Sequence, residues 1–130
     1  MKEIKLYQIK IKNKPEEFNA FSLFDEQDFY KEFNEYYNYR NFERSVISCI
    51  DNFYVKEIKG YYDEKHLFID TIGYGYELVE KPLQCYTKSG VVESNRCALK
   101  VCLTLEDAVK ICHNVKMNVE KWLETIREVK

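Results

Sequence analysis

Leu105, Ala108, Val109, Cys112, Val115, Val119, Trp122, Leu123 and Ile126 recur at three- and four-residue spacing near the end of the chain. That period places all of them on one stripe of an α-helix running from about 105 to 128. A helix with one long apolar stripe has to lie on another hydrophobic layer, and the layer expected here is one face of an antiparallel sheet. Thr104 with Asp107 three residues later forms a capping box in which Asp replaces the usual Glu, and Glu106 adds a second negative charge beside the first-turn amides.

The strands for such a sheet can be read from alternation. Tyr7, Ile9 and Ile11 alternate with Gln8, Lys10 and Lys12, while Ile4 and Leu6 are out of phase with them. The first strand, Lys2 to Lys12, therefore contains a bulge or has both faces partly covered. Tyr54 to Lys59 and His66 to Thr71 read as strands around a turn at Asp63 to Lys65, and Tyr74 to Val79 stays extended until Pro82. Lys88, Ser89 and Gly90 suggest a turn between Gln84 to Thr87 and Val91 to Glu93, and Leu99, Val101 and Leu103 alternate in a further strand. At 130 residues the chain is expected to form a single α+β domain, residues 1–130, with an antiparallel sheet of four to five strands. A domain of this size buries roughly two thirds of the surface of its unfolded chain, so no disulfide or metal is needed to hold it.

Fourteen of the twenty aromatic residues lie between Phe18 and Tyr62. Phe18, Phe21 and Phe24 sit in a connection that folds back on the core. Asp25 then caps an aromatic helix of about 26–38, with Asp28 near its first-turn amides. On that helix Phe29, Tyr30, Phe33, Tyr36 and Tyr37 occupy an arc of about 120°, while Asp28, Glu32 and Glu35 line a separate stripe. The arc has the width of a buried face, so the exposed information is the carboxylate stripe with tyrosine hydroxyls at its border. Residues 42–53 fit both a helix, through Phe42, Val46, Cys49, Ile50 and Phe53, and a strand, through Val46, Ile47 and Ile50.

The net charge of −2 supplies no overall cationic field for nucleic acid or anionic lipid, and neither is expected as a partner. Charge is uneven, however: Lys2, Lys5, Lys10, Lys12 and Lys14 precede a segment with seven acids from Glu16 to Glu35 against Lys31 alone. Met1 to Lys14 lacks the continuous apolar run of a secretory signal, and no segment approaches the roughly twenty apolar residues of a membrane span. Five cysteines without a regular framework point the same way, to a cytoplasmic protein with reduced thiols.

No motif commits the chain to catalysis. Cys49, Cys85, Cys97, Cys102 and Cys112 include no Cys-x2-Cys pair for a structural zinc site, and no metal or other cofactor is expected. His66 and Asp70 would share one strand face, which allows a contact but equally suits the exposed side of a hairpin. Gly73, Tyr74 and Gly75 make no phosphate loop; in a strand they would form a smooth groove backed by Tyr74 and Tyr76, or a bulge or close helix approach. The helix, three-strand, helix order after Asp25 is similar to that of double-stranded RNA-binding domains. Those domains carry lysines at the start of the last helix, where this chain has Thr104-Leu105-Glu106-Asp107, so their phosphate-binding element is missing.

The expected function is a small non-enzymatic protein-binding protein that occupies a basic site on a larger partner. Asp25, Glu26, Asp28, Glu32 and Glu35 supply the charge, with Tyr30, Tyr37 and Tyr39 at the margin. Short length and a composition rich in Lys, Asn, Ile, Tyr and Phe suit a phage or mobile-element inhibitor of a host defence factor. The alternative is a small-molecule or nucleotide-sequestering protein with Tyr61, Tyr62, Tyr74 and Tyr76 as stacking walls. An enzyme relying on His66, Asp70 and His113 comes third.

Overall fold

A computed structural model describes residues 1–36, 38–96 and 99–129. Tyr37 and Cys97, a candidate contact residue and a candidate ligand, therefore lie outside the described residues. The fold is α+β, and the chain gathers into two compact units. One comprises Met1–Lys10 with Tyr54–Lys110, the other Ile11–Phe53 with Ile111–Lys130.

The first unit is built on the sheet. Its strands are β1 (Lys2–Ile11), β2 (Phe53–Tyr62), β3 (Leu67–Asp70), β4 (Tyr76–Val79), β5 (Val91–Val92) and β6 (Lys100–Cys102), in the order β4-β3-β2-β1-β6-β5. Six strands replace the four or five expected. The stretch read as a hairpin arm at 84–87 is not one of them: residues Leu83–Cys85 form a short 3-10 turn after Pro82, and Val91–Val92 pairs with β6 instead. Proline at the turn's N-terminal cap sets the backbone for a turn and supplies no N–H to a ladder. Leu6, Ile58, Leu67, Ile69, Val79, Tyr86, Val92 and Val101 form one buried cluster on the sheet.

The phase change in β1 is not a bulge where it meets β6. The pairs Tyr7 with Cys102, Gln8 with Val101 and Ile9 with Lys100 follow a regular antiparallel register. Leu6 and Ile9 are nevertheless both buried, so both faces of the strand are covered there.

The second unit is helical. Asp25 caps α1 (Glu26–Glu35) by accepting the Asp28 N–H at 3.0 Å, as the sequence implied. The helix stops at Glu35 and does not reach Asn38, because Tyr36 turns out with ψ 144°. Asn38 begins a new helix: its Oδ1 accepts the Asn41 N–H at 2.9 Å and α2 runs Tyr39–Ile50. The ambiguous stretch is thus helical to Ile50, and Phe53 opens β2.

α3 (Leu105–Val129) begins at the expected cap, where the Asp107 N–H donates to Thr104 Oγ1 at 3.1 Å and the Thr104 hydroxyl donates back to Asp107 Oδ2 at 2.9 Å. Gly90, at φ +75°, lies against that cap; a Cβ there would fall inside the Asp107 carboxylate. Beyond the cap, Val115, Val119, Leu123 and Ile126 are buried with Phe18, Leu23, Phe29, Phe42, Val46, Cys49 and Ile50. From Val115 to Ile126 the stripe of α3 therefore meets α1, α2 and the 15–24 connection, with Ile11 and Phe53 at the margin, whereas Leu105 and Val109 of the expected stripe are exposed. A short α1 ending at Glu35 frees α2 to bring Phe42 and Val46 to that stripe. Among the described residues no helix is long and apolar enough to cross a membrane.

Candidate functional site

In the helical unit, Phe42 is the centre of the aromatic cluster. Its ring meets those of Phe18, Phe29, Phe33 and Tyr36 at centroid distances of 6.1, 5.2, 5.2 and 5.5 Å. Phe29 also meets Tyr30 at 5.8 Å and Trp122 at 5.3 Å. Tilted and edge-on ring contacts of this kind carry directionality beyond area burial. Tyr30 and Tyr39, which the sequence placed at the border of a contact surface, are half-buried against this cluster. Phe21 is exposed, so the 18–24 segment folds back through Phe18 and Leu23.

The carboxylates divide by task. Asp25 is occupied as the α1 cap, and Glu32 Oε1 accepts the Asn19 N–H at 3.1 Å. Glu26 and Asp28 stand exposed on the first turn of α1, and Glu35 is exposed at its end. Glu32 and Glu35 border a cleft of about 700 Å³ that is also lined by Pro15, Glu16, Glu17, Tyr36, Asn41, Arg44 and Ser45. Four glutamates thus face one arginine around the cleft. Its wall is pinned: Lys14 Nζ donates to the Pro15 and Phe18 carbonyls, each at 2.8 Å, and the Tyr36 hydroxyl donates to Ser45 Oγ at 3.1 Å. Sequence reading missed Glu16 and Glu17 as partners of the stripe. They precede the helix, and no periodicity links a connection to a helix face.

Tyr39 is engaged elsewhere in the same unit. Its hydroxyl donates to Glu43 Oε2, which also accepts Arg127 Nε at 3.0 Å. The arginine, then the tyrosine, hold the Glu43 carboxyl below its ordinary value. Burial, reinforced by Glu43, pushes the Tyr39 hydroxyl up.

In the sheet unit the structure separates the four tyrosines read as stacking walls. Tyr61 and Tyr76 meet edge-to-face at 5.6 Å and share a small cleft of about 360 Å³ with Met1 and Phe68. Tyr62 is half-buried against the sheet core. Tyr74 stands apart on the turn between β3 and β4 and is 83% exposed. That turn is neither a strand nor a bulge. Gly73 and Gly75 have φ +93° and +82°, and no atom lies within 4 Å of where their Cβ atoms would be. Their role is conformational, and no helix approaches them closely.

Ile72 in the same turn has φ +50°, an uncommon value for a β-branched residue, and is held there by its N–H donating to Asp70 Oδ1 at 3.0 Å. Thr71 closes the turn by donating its N–H and Oγ1 to the Gly75 carbonyl at 3.0 and 2.7 Å. Beside this turn is a cleft of about 660 Å³ lined by Gln8, Lys10, Lys56, Thr71, Ile72, Tyr74 and Arg96. Arg96 reaches it from a loop anchored on Glu77, a 6% exposed residue of β4. The Glu77 carboxylate accepts Ser94 Oγ at 2.8 Å and the N–H groups of Asn95 and Arg96, each at 2.9 Å.

The residues considered for chemistry do not assemble. His66 contacts Asp63, Nδ1 to Oδ1 3.1 Å, and stacks near Phe68, whereas Asp70 serves the Ile72 turn. The Lys65 N–H and the His66 ring hold the Asp63 carboxyl below its usual value. Burial pushes the Cys49 thiol up to about 11 and raises Cys112 as well, away from the thiolate that a nucleophile needs. Among the described residues no group of three or more His, Cys, Asp or Glu side chains is arranged to hold a metal ion. Compared with known protein families, with curated proteins and with solved structures, the chain matches none.

Proposed function

We propose that the protein is a non-enzymatic binding protein that takes a basic segment of a larger protein into the acidic cleft of its helical unit. The observation that carries the reading is the concave arrangement of Glu16, Glu17, Glu32 and Glu35 around about 700 Å³, with Arg44 as the one opposing charge in the lining among the described residues. A cleft lined by carboxylates favours lysine or arginine side chains and steers their approach. Glu26 and Asp28, exposed on the first turn of α1, extend the same sign of charge over the surface. Occupying a partner's basic site in this way blocks it sterically, and an inhibitory role follows from occupancy alone.

Glu16, Glu17 and Glu35 are the residues to reverse, because Glu32 also holds the Asn19 backbone. Titration with a short synthetic Lys/Arg peptide should show binding that weakens with added salt. The combined change Glu16→Lys, Glu17→Lys and Glu35→Lys should lower affinity by about tenfold or more with an unchanged circular dichroism spectrum. Equal affinity of the variant for the peptide rules this surface out.

A further inference from the structure

The sheet unit carries a second cleft of opposite charge, which shares no residue with the acidic one. We infer that the cleft formed by Gln8, Lys10, Lys56, Thr71, Tyr74 and Arg96 binds a phosphorylated small molecule bearing a planar ring, with a nucleotide as the ligand class.

Among the described residues, Lys10, Lys56 and Arg96 line one cleft with no carboxylate in its lining, in a chain whose acids outnumber its basic residues. Among the described residues the ion pairs of this unit use Lys5, Lys59 and His66, and none uses these three cations. Lys10 and Lys56 are also half-buried. An anion in the cleft would accept charge-assisted hydrogen bonds from these cations.

Arg96 follows two residues that Glu77 also anchors, and a buried carboxylate accepting two consecutive main-chain N–H groups fixes where that loop presents its side chains. The Thr71–Gly75 bonds and the positive φ of Ile72 fix the turn that carries Tyr74. Backbone held in a sparsely populated region points to a constraint beyond chain reversal.

Tyr74 is 83% exposed yet borders the cleft, so one face of the phenol is open to stack on a planar group whose phosphates reach the cations. The volume, about 660 Å³, lies within the roughly 300–1,000 Å³ of small-molecule sites. Gln8 adds an amide for hydrogen bonds to the ring or sugar.

Calorimetric titration of the full chain at low salt with ATP, tripolyphosphate and adenosine tests the two halves of the site. ATP should bind most tightly, tripolyphosphate more weakly, and adenosine least. Lys10→Ala and Lys56→Ala should each weaken ATP and tripolyphosphate by about tenfold. Tyr74→Ala, at an exposed position, should weaken ATP by about tenfold while leaving tripolyphosphate unchanged. Amide chemical-shift changes in the unaltered protein should centre on Gln8, Lys10, Lys56, Thr71 and Tyr74, a readout that does not depend on any variant folding. No binding of ATP or tripolyphosphate at millimolar concentration overturns the proposal, as does ATP binding that ignores all three substitutions. A single-stranded oligonucleotide binding far more tightly than ATP, through the same residues, overturns the small-molecule assignment.

Discussion

The buried carboxylate of Glu77 accepts the main-chain N–H of Arg96 at 2.9 Å, and the adjacent Asn95 N–H at the same distance, so an edge strand holds a loop through charge-assisted hydrogen bonds. An inward-pointing charge on an edge strand also discourages pairing with another chain. Glu77→Gln replaces one acceptor oxygen with an NH2 group facing N–H donors. Stability in urea should fall by about 1–3 kcal/mol, and trypsin should cut after Arg96 faster than in the parent protein. Unchanged proteolysis at Arg96 would show that the carboxylate does not order the loop.

Phe42 joins four rings and is fully buried. Phe42→Ala should cost about 3–5 kcal/mol, at the upper end for large-to-small changes, because rings locked against one another cannot collapse into the space. Phe21→Ala, at an exposed ring of the same helical unit, should stay within about 0.5 kcal/mol. Denaturant unfolding of the pair measures the contrast, and similar losses for both would contradict the placement of the core.

Glu43 couples the stability of the fold to pH. Its carboxyl is held below its ordinary 4.5 in the folded protein, chiefly by Arg127, so its contribution is complete above that value and is lost as the pH falls through the lower folded one. With the Glu43 side chain 27% and that of Arg127 48% exposed, the contribution is about 0.3–1 kcal/mol. Arg127→Ala should lower stability at pH 7 by that amount and shrink the further loss on acidification below pH 4. Urea midpoints of both proteins at pH 7 and pH 3 supply the comparison, and parallel acid losses would assign the effect to other carboxylates.

Thiol reactivity should follow burial. Cys85 is exposed, whereas Cys49 is buried with its thiol pushed up to about 11, which leaves about one thiolate per thousand at pH 8. Labelling with a disulfide reagent at pH 8 should therefore lose a fast phase in Cys85→Ser and keep every fast phase in Cys49→Ser. Rapid native labelling that disappears with Cys49→Ser would mean that this core opens readily.

Much of the fold was legible because the signals were local. Asp25 and Thr104 cap the helices they were expected to cap, and alternation located β1, β2, β3 and β6. The break at Tyr36 was not legible. Asn38 is a good cap but also tolerable inside a helix, and the aromatic periodicity runs across both helices. Likewise Lys88-Ser89-Gly90 carries turn chemistry, yet Gly90 is used against Asp107 and the 84–87 stretch is not a strand. The acidic stripe on α1 could be read from helical spacing, but the cleft it borders could not, since Glu16 and Glu17 arrive from a connection.

Sequence alone determined which residues seek burial, where most elements start and that the acids gather between Glu16 and Glu35, because propensity, capping and periodicity act over a few neighbouring residues. Tertiary structure decided which side chains share a cleft. Lys10, Lys56 and Arg96 come from three separate segments, and only strand register and a carboxylate nineteen positions from Arg96 bring them to one cleft beside Tyr74. Proximity of that kind depends on long-range pairing, which leaves no periodic trace in the order of the residues.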